Sequence, residues 1–157
     1  GNYPVQVIDK TTQISESVDD SHLIKLPVSA PKIKTKRFIT KSICYHAAIM
    51  ANDIEAKVIN TLTNSGYTAF QISAWRPKAH ILAYTSNRRM LTQLSLLWGV
   101  TAFWYDKYES TDVTIEDINK IATDNNYVQT GDYTINLASM PLIEKGMVNT
   151  IRVSEIE

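Results

Sequence analysis

The sequence predicts an α/β fold: a mainly parallel five-stranded sheet with helices on both faces and a last strand that is antiparallel. Two observations carry this. Short strand-like runs alternate with stretches of helical periodicity of about ten residues, the pattern of successive βαβ units. The final two strand-like runs have only a short loop between them, too little chain for a crossover, so they should pair antiparallel at one edge of the sheet.

The elements follow in order. Residues 3–18 read as a short helix: Pro4 suits a first turn, and Val5, Ile8 and Thr12 recur at helical spacing. Residues 19–37 change character, with Pro27 and Pro31 interrupting any regular element and Lys32, Lys34, Lys36 and Arg37 forming a basic run that reads as a solvated linker or, alternatively, a phosphate-binding patch. From Phe38 the periodicity of Ile39, Ile43, Ala47 and Met50 marks a helix that ends near Asn52. Residues 56–62 read as a buried strand, and a turn at Asn64–Gly66 leads into a helix through Thr68, Phe70, Ile72 and Trp75, stopped by Pro77. Residues 80–84 form a second strand. Ser86 or Asn87 caps a helix through Met90, Leu91 and Leu94. Residues 99–104 are a third strand, a helix opens at Thr114, and residues 132–137 and 147–153 supply the fourth and fifth strands.

Composition narrows the function. The 157 residues, 44% hydrophobic, suffice for one domain with a core, or one domain plus a fragment of another. Sixteen basic and sixteen acidic residues balance, which gives no support for a nucleic-acid partner. No apolar run approaches the roughly 20 residues that span a bilayer. Cys44 is the only cysteine, so no intramolecular disulfide forms, which suits a reducing cytoplasm. The opening Gly1-Asn2-Tyr3-Pro4 has neither a basic nor an apolar signal region and no initiator Met, an opening expected of a chain cut from a longer protein.

The informative stretch runs from Thr61 to Ala69. A strand ends, hydroxyl residues follow, Gly66 turns the chain and a helix begins. A helix start offers free backbone N–H groups and the positive end of the dipole. Thr63, Ser65 and Thr68 add hydroxyl donors, and Gly66 permits close backbone approach or positive φ. Such a turn could hold a phosphate without any Lys. On the local pattern alone the plainer reading is a strand-to-helix turn capped by Ser65 or Thr63. The spacing is not that of a P-loop.

The same residues carry a resemblance. Pyruvate kinases have a Leu-Thr-x-Ser-Gly-x-Thr/Ser-Ala segment, a helix, and then a Tyr-Arg-Pro-x-Ala-Pro-Ile-Ile-Ala stretch. This chain reads Leu62-Thr63-Asn64-Ser65-Gly66-Tyr67-Thr68-Ala69 and then Ala74-Trp75-Arg76-Pro77-Lys78-Ala79-His80-Ile81-Leu82-Ala83. Leu94–Val100, Gly131–Ala138 and Asn149–Val153 are similar to later segments of the family, in the same order, and Tyr3–Val7 resembles the start of its final barrel helix. The sequence thus resembles the C-terminal regulatory domain of pyruvate kinase over nearly its whole length. The resemblance implies that residues 1–36 are a remnant of the last barrel helix plus a linker, and that residues 37–157 are the C-terminal α/β domain. It implies a parent that transfers phosphate from phosphoenolpyruvate to ADP with Mg²⁺ and K⁺. The family's kinase site lies in a barrel absent from this sequence, so the resemblance implies no catalytic residue, metal ligand or cofactor here.

The resemblance further implies an effector phosphate site at Thr63, Asn64, Ser65, Gly66, Tyr67 and Thr68, an effector loop including Lys145 and Gly146, and a homo-oligomer, a tetramer in the parent. Where bisphosphate-responsive animal enzymes have a Lys in this turn, Asn64 stands here, and Tyr67 replaces their Arg, so a charge-assisted contact is lost. Glu144 beside Lys145 would repel a second phosphate. The expected ligand is therefore a small phosphorylated effector, a sugar monophosphate or AMP rather than fructose bisphosphate.

Other residues read more plainly. Asp106, Glu109, Asp112, Glu116 and Asp117 could surround a divalent cation, but the EF-hand spacing is missing, and carboxylates favour a helix start. Cys44 reads as a small core residue, and His46, two positions away, does not face it on a helix. His80 reads as the first residue of a strand. Trp75, Trp98 and Trp104 read as core or interface anchors. Arg88 and Arg89 open a helix, solvated or within reach of a partner subunit or phosphate. A free-standing phosphate- or nucleotide-binding module is the second functional reading. An independent small enzyme is the third, opposed by the lack of a nucleophile–base pair or metal cluster.

Overall fold

The computed structural model describes residues 1–20, 37–107, 109–140 and 147–157. Its elements run α1 (Pro4–Asp20), α2 (Phe38–Asp53), β1 (Val58–Leu62), α3 (Tyr67–Ser73), β2 (His80–Thr85), α4 (Arg88–Leu94), β3 (Val100–Trp104), α5 (Thr111–Asp124), β4 (Tyr133–Ala138) and β5 (Thr150–Glu155). The five strands make one sheet in the order β3-β2-β1-β4-β5. All pairs are parallel except β4 with β5, which run antiparallel from Tyr133↔Glu155 to Ala138↔Thr150. The fold class, including the antiparallel last strand, is the one the sequence predicts.

Alternation along β1 sends its side chains to two cores. Ile59 points to one face, where it joins Ile81, Ile135 and Leu137 beneath Cys44, Ala47 and Ala51 of α2 and Ile72 of α3. Val58 and Leu62 point to the other face with Leu82 and Tyr84, covered by Ile118 and Ala122 of α5. Leu94 of α4 packs on Ala69 and Ala83, so α4 shares the face of α2 and α3. The small residues of α2 let its backbone lie close on the sheet. Each fully buried Ile contributes roughly 1.5–3 kcal/mol relative to exposure.

Several boundaries differ from expectation, each for a local reason. The first strand begins at Val58, not Ala56. Glu55 turns the chain at φ 53 and the Ala56 amide still bonds the Ala51 carbonyl, closing α2. The fifth strand begins at Thr150, not Met147, because Asn149 uses its side chain to clamp Met140, accepting from its amide at 2.8 Å and donating to its carbonyl at 2.7 Å. Helix α3 stops at Ser73, short of Trp75. Tight turns from Trp75 N–H to the Ile72 carbonyl and from Arg76 N–H to the Ser73 carbonyl finish it, and Arg76 sits at φ 43, so Pro77 comes after the helix has already ended. Helix α1 runs from Pro4 to Asp20, and its apolar residues Val5, Ile8 and Ile14 are exposed, as is Tyr3 just before it. Asn87, not Ser86, caps α4, and α5 starts at Thr111, three residues before the expected Thr114, with Ser110 as its cap.

Candidate functional site

From β1 the chain first winds outward through β2 to β3, then α5 carries it back to β4 on the other side of β1. The carboxyl ends of β1 and β4 therefore mark the point where the winding reverses, the place where open α/β sheets leave a crevice for ligands. A cavity of about 500 Å³ lies there. One wall is the turn after β1, contributing Thr63, Asn64, Ser65, Tyr67 and Thr68. Arg37 and Thr40 come from the start of α2, and Ser139, Met147 and Val148 from either side of the β4–β5 connection.

The turn is built by backbone constraints. The Thr63 amide donates to the Tyr84 carbonyl at 2.9 Å, carrying the ladder one residue past β1. Gly66 then takes φ +73, and a Cβ built on it would meet Met90 Sδ at 3.1 Å and Leu94 Cδ2 at 3.3 Å. Glycine is needed both for the left-handed backbone and for the approach of α4. Gly66 is also the N-cap of α3, which has no side-chain cap. The expected capping by Ser65 or Thr63 is thus not the arrangement: glycine dihedrals rather than a hydroxyl begin the helix. Among the described residues, the hydroxyls of Thr63, Ser65 and Thr68 carry no hydrogen bond.

The other walls are tied to the same turn. Asn87 Nδ2 donates to the Asn64 carbonyl at 3.3 Å, and Asn87 Oδ1 accepts from the Arg89 amide at 3.2 Å. Thr40 is buried, and its hydroxyl donates to the Val148 carbonyl at 3.2 Å, fixing α2 to the segment before β5. The Arg37 guanidinium lies over the Tyr67 ring, 4.4 Å from its centroid. The structure thus brings Thr63, Asn64, Ser65, Tyr67 and Thr68 to one cavity, with Gly66 turning the chain between them. Lys145 and Gly146, together with Lys32, Lys34 and Lys36, lie outside the described residues. Thr40 is a cavity residue that sequence reading did not single out, and Arg37 was read only as the end of a basic run, a solvated linker or a phosphate-binding patch. The only available signal was their position at a helix start after a basic run.

Most residues given plainer readings behave accordingly. Burial pushes the Cys44 thiol up to about 12, which suits a core residue and not a nucleophile. His46 Nδ1 is 2.8 Å from the Ser42 carbonyl, within its own helix. Asp112 pairs with Arg152, and Asp117 Oδ2 lies 3.4 Å from Lys107 Nζ. Ser110 caps α5, its Oγ accepting from the Val113 amide at 3.3 Å. The three tryptophans differ from a core reading: Trp75 packs edge-on against Tyr45, Trp98 and Trp104 lie beneath Arg76 and Arg88, and none of them is fully buried, Trp104 being exposed.

The family model described as "Pyruvate kinase, alpha/beta domain" matches residues 41–154. The chain belongs to this family. A pyruvate kinase of Clostridium acetobutylicum is 29% identical over 157 residues, covering 100% of this chain and 33% of that protein. One of Bacillus licheniformis is 32% identical over 153 residues, covering 98% of this chain and 26% of that protein. The crystal structure of a pyruvate kinase from Cryptosporidium parvum superposes with a TM-score of 0.70 at 25% identity, over 81% of this chain and 24% of that one. The chain therefore spans a quarter to a third of the length of the relatives it matches. The family match covers β1 to β4 and most of β5, and so both strand ends that form the cavity.

Proposed function

We propose that this chain is the C-terminal effector-binding and assembly domain of a cytoplasmic pyruvate kinase, a parent enzyme that transfers phosphate from phosphoenolpyruvate to ADP. Residues 1–36 are then the last barrel helix and a linker, which accounts for the exposed apolar side chains of α1. The observation that carries the effector reading is the cavity at the winding reversal, where no described residue engages the hydroxyls of Thr63, Ser65 and Thr68. Hydroxyl and backbone donors on a turn that Gly66 shapes suit a phosphate oxygen cluster. Asn64 and Tyr67 are neutral, and Arg37 is the single cation among the described lining residues, a charge that matches one phosphate better than two.

The parent's Mg²⁺ and K⁺ would belong to the barrel. Among the described residues no group of three or more His, Cys, Asp or Glu could hold a metal ion. The isolated chain should accordingly show no phosphoryl transfer, and it should self-associate through the domain. No described helix is long and apolar enough to cross a membrane.

Calorimetric titration with AMP, glucose 6-phosphate and fructose 1,6-bisphosphate tests the effector reading. The monophosphates should bind at least as tightly as the bisphosphate, and Ser65→Ala with Thr68→Ala should weaken them by about tenfold or more, the usual cost of losing hydrogen bonds to a charged group. Binding undiminished by both substitutions would move the ligand elsewhere.

A further inference from the structure

The turn after β1 offers a phosphate neutral donors only, so the charge must come from another element. Arg37 is the candidate. It sits immediately before α2 and lines the same cavity as Thr63, Ser65 and Thr68. Its guanidinium is 4.4 Å from the centroid of the Tyr67 ring. No carboxylate among the described residues pairs with it. We propose that Arg37, held on the face of Tyr67, is the cationic clamp for the phosphate monoester of the ligand; this rests on the effector reading above.

The geometry explains why a stacked Arg suits this work. A guanidinium is planar: its face rests on an aromatic ring while its N–H donors lie in the plane at its edge. With its Cζ over the Tyr67 ring, the guanidinium keeps in-plane N–H donors for a bidentate contact with two phosphate oxygens. Stacking also restrains a long side chain before the ligand arrives, lowering the rotamer entropy lost on binding. Tyr67 follows Gly66 directly, so the glycine turn that aims the hydroxyls also places the ring under the guanidinium. Two chain segments, 26 residues apart between Arg37 and Thr63, then grip one anion together.

The role assigned to Tyr67 is its ring face, not its hydroxyl, and this separates the clamp from a general basic patch. Lys at position 37 keeps the charge but neither the planar fork nor the flat stack. Phe at position 67 keeps the stack.

The test titrates the 157-residue chain with AMP, glucose 6-phosphate, inorganic phosphate and uncharged adenosine, following heat and the Tyr67 ring resonances. Arg37→Gln should weaken the three phosphate probes by about tenfold to a hundredfold, the range for a charge-assisted pair. Tyr67→Ala should weaken them in the same direction, Tyr67→Phe should stay within about threefold, and Arg37→Lys should fall between wild type and Arg37→Gln. Adenosine affinity, if measurable, should not respond to Arg37→Gln. Comparing AMP with glucose 6-phosphate tells whether a nucleotide or a sugar carries the phosphate. If Arg37→Gln binds like wild type while Ser65→Ala is weakened, the clamp is wrong and the effector reading stands. If the wild-type chain binds none of the phosphate probes, both fail. Equal losses for Tyr67→Phe and Tyr67→Ala would overturn the stacking geometry. Arg37 is exposed, and unchanged circular dichroism of each variant confirms that its loss is one of binding.

Discussion

Replacing Asn60 by Leu should destabilise the domain by about 2–4 kcal/mol, and replacing Asn60 and Asn136 together should cost clearly less than the two separate losses added. Both amides are essentially fully buried on the α5 face of the sheet, at partnered positions of β1 and β4. Asn60 Nδ2 donates to Asn136 Oδ1 at 2.8 Å and to Asn119 Oδ1 at 2.9 Å. Taking the amide away does not strand every partner. Asn119 Oδ1 keeps the Thr134 hydroxyl at 3.0 Å, and the Tyr84 hydroxyl keeps the Ile118 carbonyl at 3.0 Å. Asn136 Oδ1 loses the donor it has among the described residues. One orphaned buried acceptor costs about 1–3 kcal/mol, and fitting Leu into a packed site adds up to about 1.5 kcal/mol.

Asn136→Leu removes the same contact from the other side, and it also withdraws Nδ2 from Thr134 Oγ1 at 3.2 Å and Ser154 Oγ at 3.1 Å. In the double variant the 2.8 Å contact has no surviving half, so its desolvation penalty is not counted twice. A coupling of about 1–3 kcal/mol should remain, the range expected for neighbours in one network. Urea unfolding of the four proteins, followed by tryptophan fluorescence and circular dichroism, measures it, provided the denaturant slope is unchanged. Additivity within about 0.5 kcal/mol would refute the network as a unit.

Two further outcomes follow from local geometry and burial. Gly66→Ala should lose about 1–3 kcal/mol in the same urea assay, since φ +73 disfavours a side chain and the new methyl would crowd Met90 and Leu94; an unchanged midpoint would contradict this. Stability should also fall in alkali: the Cys44 thiol is raised from 9.0 to about 12, so its contribution is complete below pH 9 and is lost as pH climbs from there through about 12, at about 1.4 kcal/mol per pH unit. Burial raises the Tyr84 phenol as well, which steepens the loss at the upper end of that window. Urea midpoints at pH 8, 9, 10 and 11 should stay level to pH 9 and then decline, and Cys44→Ala should flatten the first part of the decline.

How far the sequence carries depends on whether a property is local. The alternation of strands and helices is written into periodicity, and the short reach between the last two strands requires an antiparallel pair, so the sheet was legible. Gly66 was legible too, because a glycine between a strand and a helix has few other uses. The boundaries slipped where a side chain or a positive φ outside the hydrophobic pattern decided them: Asn149 looks like strand sequence until it is seen bonding Met140 twice, and Glu55 gives no sign that it will turn.

The buried amides and the cavity's cation are long-range facts. Asn60 and Asn136 lie 76 positions apart and become neighbours only because β4 returns beside β1. Arg37 stood in the sequence as the last of four basic residues, with nothing to separate it from Lys32, Lys34 and Lys36. What separates it is Tyr67, brought beneath it by the packing of α2 against α3. The same crossover sets the amide pair and the crevice that Arg37 lines. By returning the chain to the far side of β1, it pairs the amides on one face of the sheet and opens the crevice at the strand ends. Substitutions in the amide pair should therefore act on stability and leave phosphate binding to any folded fraction intact, whereas Arg37→Gln should do the reverse.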